Sequence, residues 1–160
     1  MKVGSNGYTY ELVEDFAKLP EGESFGLISR LTTDSRGELY VFQRKDPAVL
    51  VFDADGKLLR SWGSGMFKRP HGFKIVDDLA YLTDQTDNVA MVYTLDGTLI
   101  KQLGTRGQHS DTGCEDWHKL PLRAAGPFNH PTEMMPGPSG DLYVTDGYRN
   151  SRVHRFTKDG

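Results

Sequence analysis

The stretch Asp78–Gly104, DLAYLTDQTDNVAMVYTLDGTLIKQLG, reads as three short strands joined by two polar turns. Gly37–Gly63, GELYVFQRKDPAVLVFDADGKLLRSWG, follows the same plan, and so does Gly140–Gly160, GDLYVTDGYRNSRVHRFTKDG. Each begins with an aromatic strand, crosses four to seven polar residues, resumes as an apolar strand and reaches Asp-Gly. The interval from the strand tyrosine to that aspartate is 15 positions for Tyr40 to Asp55, 15 for Tyr81 to Asp96 and 16 for Tyr143 to Asp159. Recurrence at so constant a spacing marks a repeat architecture. Asp-Gly between alternating apolar runs is also a hairpin signal, since both residues tolerate φ > 0. The KLLRSW and TLIKQL that follow it alternate with period two, as outer strands should.

Working outward, a further short strand is expected before each tyrosine strand, around Leu27–Thr33, Gly72–Val76 and Pro131–Met135. Four antiparallel strands per unit make a propeller blade. The expected fold is therefore all-β: one β-propeller domain over 1–160, with blades near 24–63, 67–104 and 127–160. The step between strand tyrosines is 41 residues from Tyr40 to Tyr81 but 62 from Tyr81 to Tyr143. The excess is TRGQHSDTGCEDWHKLPLRAAG, residues 105–126, a loop of a length usually reserved for binding or covering a site. Propellers close with four to eight blades, and three are counted, the last without its outer strand. The N-terminal YTYELVEDFAKL reads as an unpaired strand. Two expectations follow: a portion of a longer propeller, half of a six-bladed ring, or a head-to-tail homodimer in which each first strand completes its partner's third blade.

Composition narrows the function classes. Eighteen glycines and eight prolines in 160 residues favour turns and short elements over helices. The formal charge of −3, from 22 acids and 19 bases, is spread without a basic face, so nucleic acid and anionic membranes are poor partners. A small-molecule or peptide substrate is what the family resemblance given below implies instead. The first twenty residues have no apolar core of signal-peptide length, and no stretch approaches eighteen apolar residues. The single cysteine, Cys114, cannot form an internal disulfide, which is compatible with a reducing compartment such as the cytoplasm. No G-x-S-x-G, H-E-x-x-H, P-loop or dinucleotide fingerprint occurs.

The blades resemble NHL repeats, and the order of motifs resembles peptidyl-α-hydroxyglycine α-amidating lyase over roughly residues 26–160. That family is a six-bladed propeller with zinc and a structural calcium at its centre, and it cleaves a carbinolamide C–N bond to give an amide and glyoxylate. LYVFQRKDP, residues 39–47, resembles the segment bearing a substrate-pocket arginine, matched by Arg44. MFKRPHGF, residues 66–73, resembles the segment with one zinc-ligand histidine, matched by His71. The resemblance also implies that the backbone carbonyls of Leu31 and Phe73 face calcium. HPTEMMPGPSGDLYVTDGYRNSR resembles the segment whose tyrosine acts in catalysis, matched by Tyr148; its D-G-Y-x-N-S-R is the most specific of the three. Two further zinc histidines and a calcium aspartate belong to later blades of the family. A family disulfide from the start of blade three to the residue after the tyrosine falls here on Asn129 and Arg149, so that staple is absent.

Each site residue has a plainer alternative. His71 is a zinc ligand or a turn histidine. Arg44 is a carboxylate clamp or the partner of Asp46, and Tyr148 is a general base or a packing aromatic. His109, Cys114 and His118 share the 105–126 loop with Asp111, Glu115 and Asp116 in a spacing that is no recognised zinc pattern; that loop is expected to line the central cavity. His130 is expected in a turn and His154 as a structural strand residue, with Asp84 and Asp146 capping backbone amides at equivalent turns. The leading function is a metal-dependent lyase of the amidating type, with zinc and calcium implied by the resemblance. The alternatives are a non-catalytic NHL propeller serving as a binding scaffold and a lactonase-type hydrolase on a six-bladed propeller.

Overall fold

Thirteen strands and no helix make up the described residues, 2–116 and 119–160 of a computed structural model. After an N-terminal pair, β1 (Lys2–Ser5) and β2 (Tyr8–Glu11), three antiparallel meanders follow in chain order. The first joins β3 (Ile28–Thr33), β4 (Leu39–Gln43), β5 (Val49–Phe52) and β6 (Leu58–Trp62). The second joins β7 (Pro70–Val76), β8 (Leu79–Asp84), β9 (Val89–Thr94) and β10 (Leu99–Leu103). The third has three strands, β11 (Glu133–Pro136), β12 (Leu142–Asp146) and β13 (Arg152–Phe156). These are the blades of a β-propeller.

The blades stack face to face because their central strands carry apolar side chains on both faces. Tyr40, Phe42, Val49 and Val51 of the first blade pack with Phe73, Ala80, Leu82, Met91 and Tyr93 of the second. Tyr81, Ala90 and Val92, pointing the other way from the same strands of blade two, pack with Phe128, Met134, Leu142 and Val144 of the third. The period-two alternation of a strand thus serves two interfaces at once. The first strands of the blades lie side by side, β7 between β3 and β11. They are tied by Ser29 Oγ donating to the His71 carbonyl at 2.8 Å and by Arg30 reaching Glu133 at 3.0 Å.

The Asp-Gly turns differ from expectation. Only the glycine takes positive φ, 77° at Gly56 and 90° at Gly97, while Asp55 and Asp96 do not. In both, the glycine N–H donates to the carbonyl three residues back, and the loop is closed from Asp53 to Lys57 and from Thr94 to Thr98. These are longer hairpin loops built on a type I turn, with glycine at its left-handed position.

The N-terminal stretch is not an unpaired strand. Asn6 and Gly7, at φ 53° and 86°, make the two-residue turn that an Asn-Gly pair favours. This turn joins Tyr8–Glu11 to Lys2–Ser5 in an exposed hairpin of its own.

One device recurs at the same end of every blade. The residue three beyond the strand tyrosine is buried and holds the segment that enters its blade. Gln43 Oε1 accepts from Gly26 N at 2.7 Å. The Asp84 carboxylate accepts from the amides of Lys68, Arg69 and Asp87. The Asp146 carboxylate accepts from Asn129 N at 2.9 Å and from Asn150 Nδ2 at 2.8 Å. Asp84 and Asp146 thus cap amides as expected, and both are fully buried.

Candidate functional site

Three sequence-matched residues meet at that same end of the blades, close to the first strands. His71 is the second residue of β7, and Tyr148 lies in the β12–β13 turn of the next blade. The His71 imidazole is oriented by both nitrogens. A carbonyl can only accept, so the 2.8 Å contact with the Thr132 oxygen makes Nδ1 the protonated nitrogen. Nε2 then carries the lone pair, and the Tyr148 hydroxyl, 3.2 Å away, donates to it. The rings meet edge to face with centroids 5.6 Å apart at 76°. The side chain of Arg44 comes alongside, its Nε donating to the Pro70 carbonyl at 3.2 Å.

Electrostatics favour the neutral imidazole. Burial holds the His71 pKa below the ordinary histidine value, the hydrogen bond to the Thr132 carbonyl opposes this, and the positive charges of Arg44, Arg30 and Arg69 add to the depression. The arrangement is a half-buried acceptor nitrogen facing a phenol that is 43% exposed.

The expected partner of Arg44 is not the one found. Asp46 turns away and accepts from Gly65 N at 3.0 Å. Leu31 and Phe73 sit in β3 and β7; the Leu31 side chain is exposed and that of Phe73 is buried against Tyr40 and Phe42. Among the described residues no group of three or more His, Cys, Asp or Glu side chains gathers to hold a metal. With Nδ1 anchored to the Thr132 carbonyl, His71 keeps its Nε2 lone pair on the side of Tyr148, an orientation that a single imidazole ligand would need. Catalytic zinc takes three protein ligands, so this chain's residues fit one share of such a site.

The 105–126 loop packs against the turn that carries Tyr148. Thr112, fully buried, donates from Oγ1 to the Arg149 carbonyl at 2.6 Å and accepts from Asn129 Nδ2 at 3.2 Å. A hydroxyl therefore bridges the two positions, Asn129 and Arg149, where the family resemblance places a disulfide. Cys114 is buried, its thiol facing the carbonyls of Asp116 and Lys119. His109 contacts the neighbouring Ser110 carbonyl; His118 lies outside the described residues. His130 sits at φ 70° in its turn. His154 packs edge to face on Phe128 and points Nε2 at Asp146, a structural histidine.

Thr132, Thr112 and Asn150 were not singled out by the sequence. Thr132 acts through its backbone, which no side-chain pattern reveals. Thr112 lies in a loop whose path the repeat does not dictate. Asn150 was legible in principle, because Asn88 stands four residues after Asp84 as Asn150 does after Asp146.

Comparison with known proteins agrees with the repeat reading. No protein-family model matches the chain. It is 31% identical over 135 residues to NHL repeat-containing protein 3 of Mus musculus, covering 77% of this chain and 36% of that protein. It is 26% identical over 166 residues to peptidyl-alpha-hydroxyglycine alpha-amidating lyase 2 of Drosophila melanogaster, covering 88% and 38%. In structure it resembles a streptogramin B lyase with a TM-score of 0.61 at 17% identity, over 92% of this chain and 42% of that one; a likeness at that identity speaks for the fold. The chain spans well under half the length of these relatives. By sequence repeat, sheet topology and these likenesses, the chain has a β-propeller fold whose blades resemble NHL repeats, and it is similar to the peptidyl-α-hydroxyglycine α-amidating lyases.

Proposed function

We propose that the chain carries part of the active site of a lyase that splits a carbinolamide into an amide and an aldehyde acid. The observation that carries this reading is the 3.2 Å contact between His71 Nε2 and the Tyr148 hydroxyl, made across two blades with the Arg44 guanidinium beside it. The chemistry requires a proton to leave the substrate hydroxyl as the C–N bond breaks and a proton to reach the departing amide nitrogen. Tyr148, once ionised, would take the first proton at its phenolate oxygen and give it up to the departing amide nitrogen. Thr132, accepting from His71 Nδ1, keeps the Nε2 lone pair on the tyrosine's side of the ring. Arg44 faces the carboxylate and the charge developing on the substrate oxygen.

Zinc and calcium belong to the same proposal. His71 Nε2 would be this chain's ligand to zinc, and the carbonyls of Leu31 and Phe73 its ligands to calcium. Bound there, zinc would supply a Lewis acid for the substrate oxygen. A homodimer or a longer chain would provide the rest of the ring.

The test is glyoxylate release from an α-hydroxyglycine peptide, with the metal content of the protein measured in parallel. Tyr148→Phe should lower kcat by about 10²-fold or more without unfolding the protein. Undiminished turnover in that variant would overturn the assignment. A second reading, a non-catalytic NHL scaffold, is supported by the higher identity to NHL repeat-containing protein 3. It would be favoured if the wild-type protein, with the rest of the ring supplied, neither turned over the peptide nor retained a metal.

A further inference from the structure

The turn that presents Tyr148 is held from outside its own blade. Its neighbour Arg149 accepts, at the backbone carbonyl, a 2.6 Å hydrogen bond from Thr112 Oγ1. Asn150, one residue further, donates from Nδ2 both to Asp146 within the blade and to the Ala125 carbonyl of the loop. The loop itself is fastened to the start of the blade: Ser110 N donates to the Phe128 carbonyl at 2.7 Å, and Asn129 Nδ2 donates to the Ser110 carbonyl at 3.0 Å as well as to Thr112 Oγ1. The backbone of Thr112 is fixed in turn, its carbonyl accepting from Leu122 and Arg123. Thr112, Asn129, Asp146 and Asn150 are all fully buried. Water cannot replace the partners of such groups cheaply.

From this arrangement we propose that Thr112 is the positioning residue of Tyr148. Its hydroxyl is the point at which the 105–126 loop grips the backbone immediately after the tyrosine. It thereby sets how closely the phenol approaches His71 Nε2. The loop acts as a brace for the catalytic turn and not as a lid over it. The inference rests on the reading of Tyr148 as the proton-accepting residue, but its first consequence is geometric and can be observed without any substrate.

The experiment follows the ¹⁵N resonance of His71 Nε2 in the whole chain, which reports whether that nitrogen accepts a hydrogen bond. Tyr148→Phe gives the reference for the bond's absence. Thr112→Val, which removes the hydroxyl and keeps the branched shape, should move the resonance at least half of the way to that reference, whereas Thr112→Ser should leave it at the wild-type position. If Thr112→Val fails to fold, Thr112→Ala provides the same deletion without a bulky methyl at the hydrogen-bonded position. An unmoved resonance in a folded deletion variant would overturn the proposal, as would Thr112→Ser behaving like the deletion. Peptide turnover separates the two ideas. A resonance that moves while the wild type, assayed with the rest of the ring supplied by a second copy or a longer chain, shows no lyase activity sinks the proposed function and leaves the brace standing. Where the wild type is active, the deletion should cut kcat at least tenfold with KM little changed.

Discussion

Gly72 passes so close to Thr132 that a Cβ on it would lie 2.5 Å from the Thr132 carbonyl oxygen, the same oxygen that receives the His71 Nδ1 hydrogen. Glu133 Cα and Thr83 Oγ1 stand almost as near, at 2.6 and 2.7 Å. The approach of blade two to blade three at the site is therefore limited by one missing methyl group.

Gly72→Ala should consequently be destabilising although its φ is an ordinary one. Two backbone segments cannot both retreat without opening the interface, so a cost of about 1–3 kcal/mol is expected. For a chain of this size that is a fall in Tm of roughly 3–10 °C. Unchanged melting would show that the inner strands separate more freely than their packing indicates.

Asp146→Ala should be more costly than most single changes outside the apolar core. It strips acceptors from Asn129 N, Asn150 Nδ2 and His154 Nε2 at a buried position. About 3–5 kcal/mol is expected from leaving such donors unpaired. Urea unfolding reads this directly, and Asp84→Ala should give a similar loss for the equivalent cap in blade two. A loss under about 1 kcal/mol would mean that the caps are dispensable.

Acid should weaken the fold through His130. Burial, with the nearby Arg149 charge second, pushes its pKa from the ordinary 6.5 down to about 4. The unfolded chain therefore takes up this proton near pH 6.5 and the folded chain only near pH 4. The contribution is complete above pH 6.5 and is lost as pH falls toward 4, where charging the ring costs the native state. Because the ring is partly solvated, about 1–2 kcal/mol is expected rather than the full shift. His130→Asn, which also tolerates the positive φ found there, should flatten the stability profile over that range. Parallel profiles for the two proteins would rule this out.

Removing residues 1–11 should leave the remainder almost as stable as before. Both strands of the hairpin are exposed along their whole length, and an isolated two-stranded hairpin is marginal in water. A change under about 0.5 kcal/mol in urea unfolding is expected. A larger loss would reveal that the hairpin packs on a blade or a partner.

The blades were legible in the sequence because each is local. The tyrosine-to-aspartate interval, the period-two runs and the Asp-Gly turns are all written within some 25 residues, and the sheets follow them. The turn geometry was misread for a physical reason: Asp-Gly suits both a two-residue turn and the last half of a longer one, and strand register decides between them. The N-terminal hairpin was marked by Asn6-Gly7 and overlooked because its strands belong to no repeat. The site was legible only as separate residues. His71 and Tyr148 stood out through their motifs, but their contact spans 77 positions and depends on how two blades pack. The braces from Thr132 and Thr112 act through a carbonyl and through an irregular loop, neither of which leaves a periodic trace.

Because His71 and Tyr148 belong to different sheets, the unit that repeats and the unit that makes their contact are not the same. Each blade brings its own strands, turns and buried cap, but shares its apolar core with its neighbours. The His71–Tyr148 contact is written in neither blade alone and lies at the seam of the second with the third. Exchanging either blade would therefore dismantle the pair while leaving the strand pattern of every blade in place.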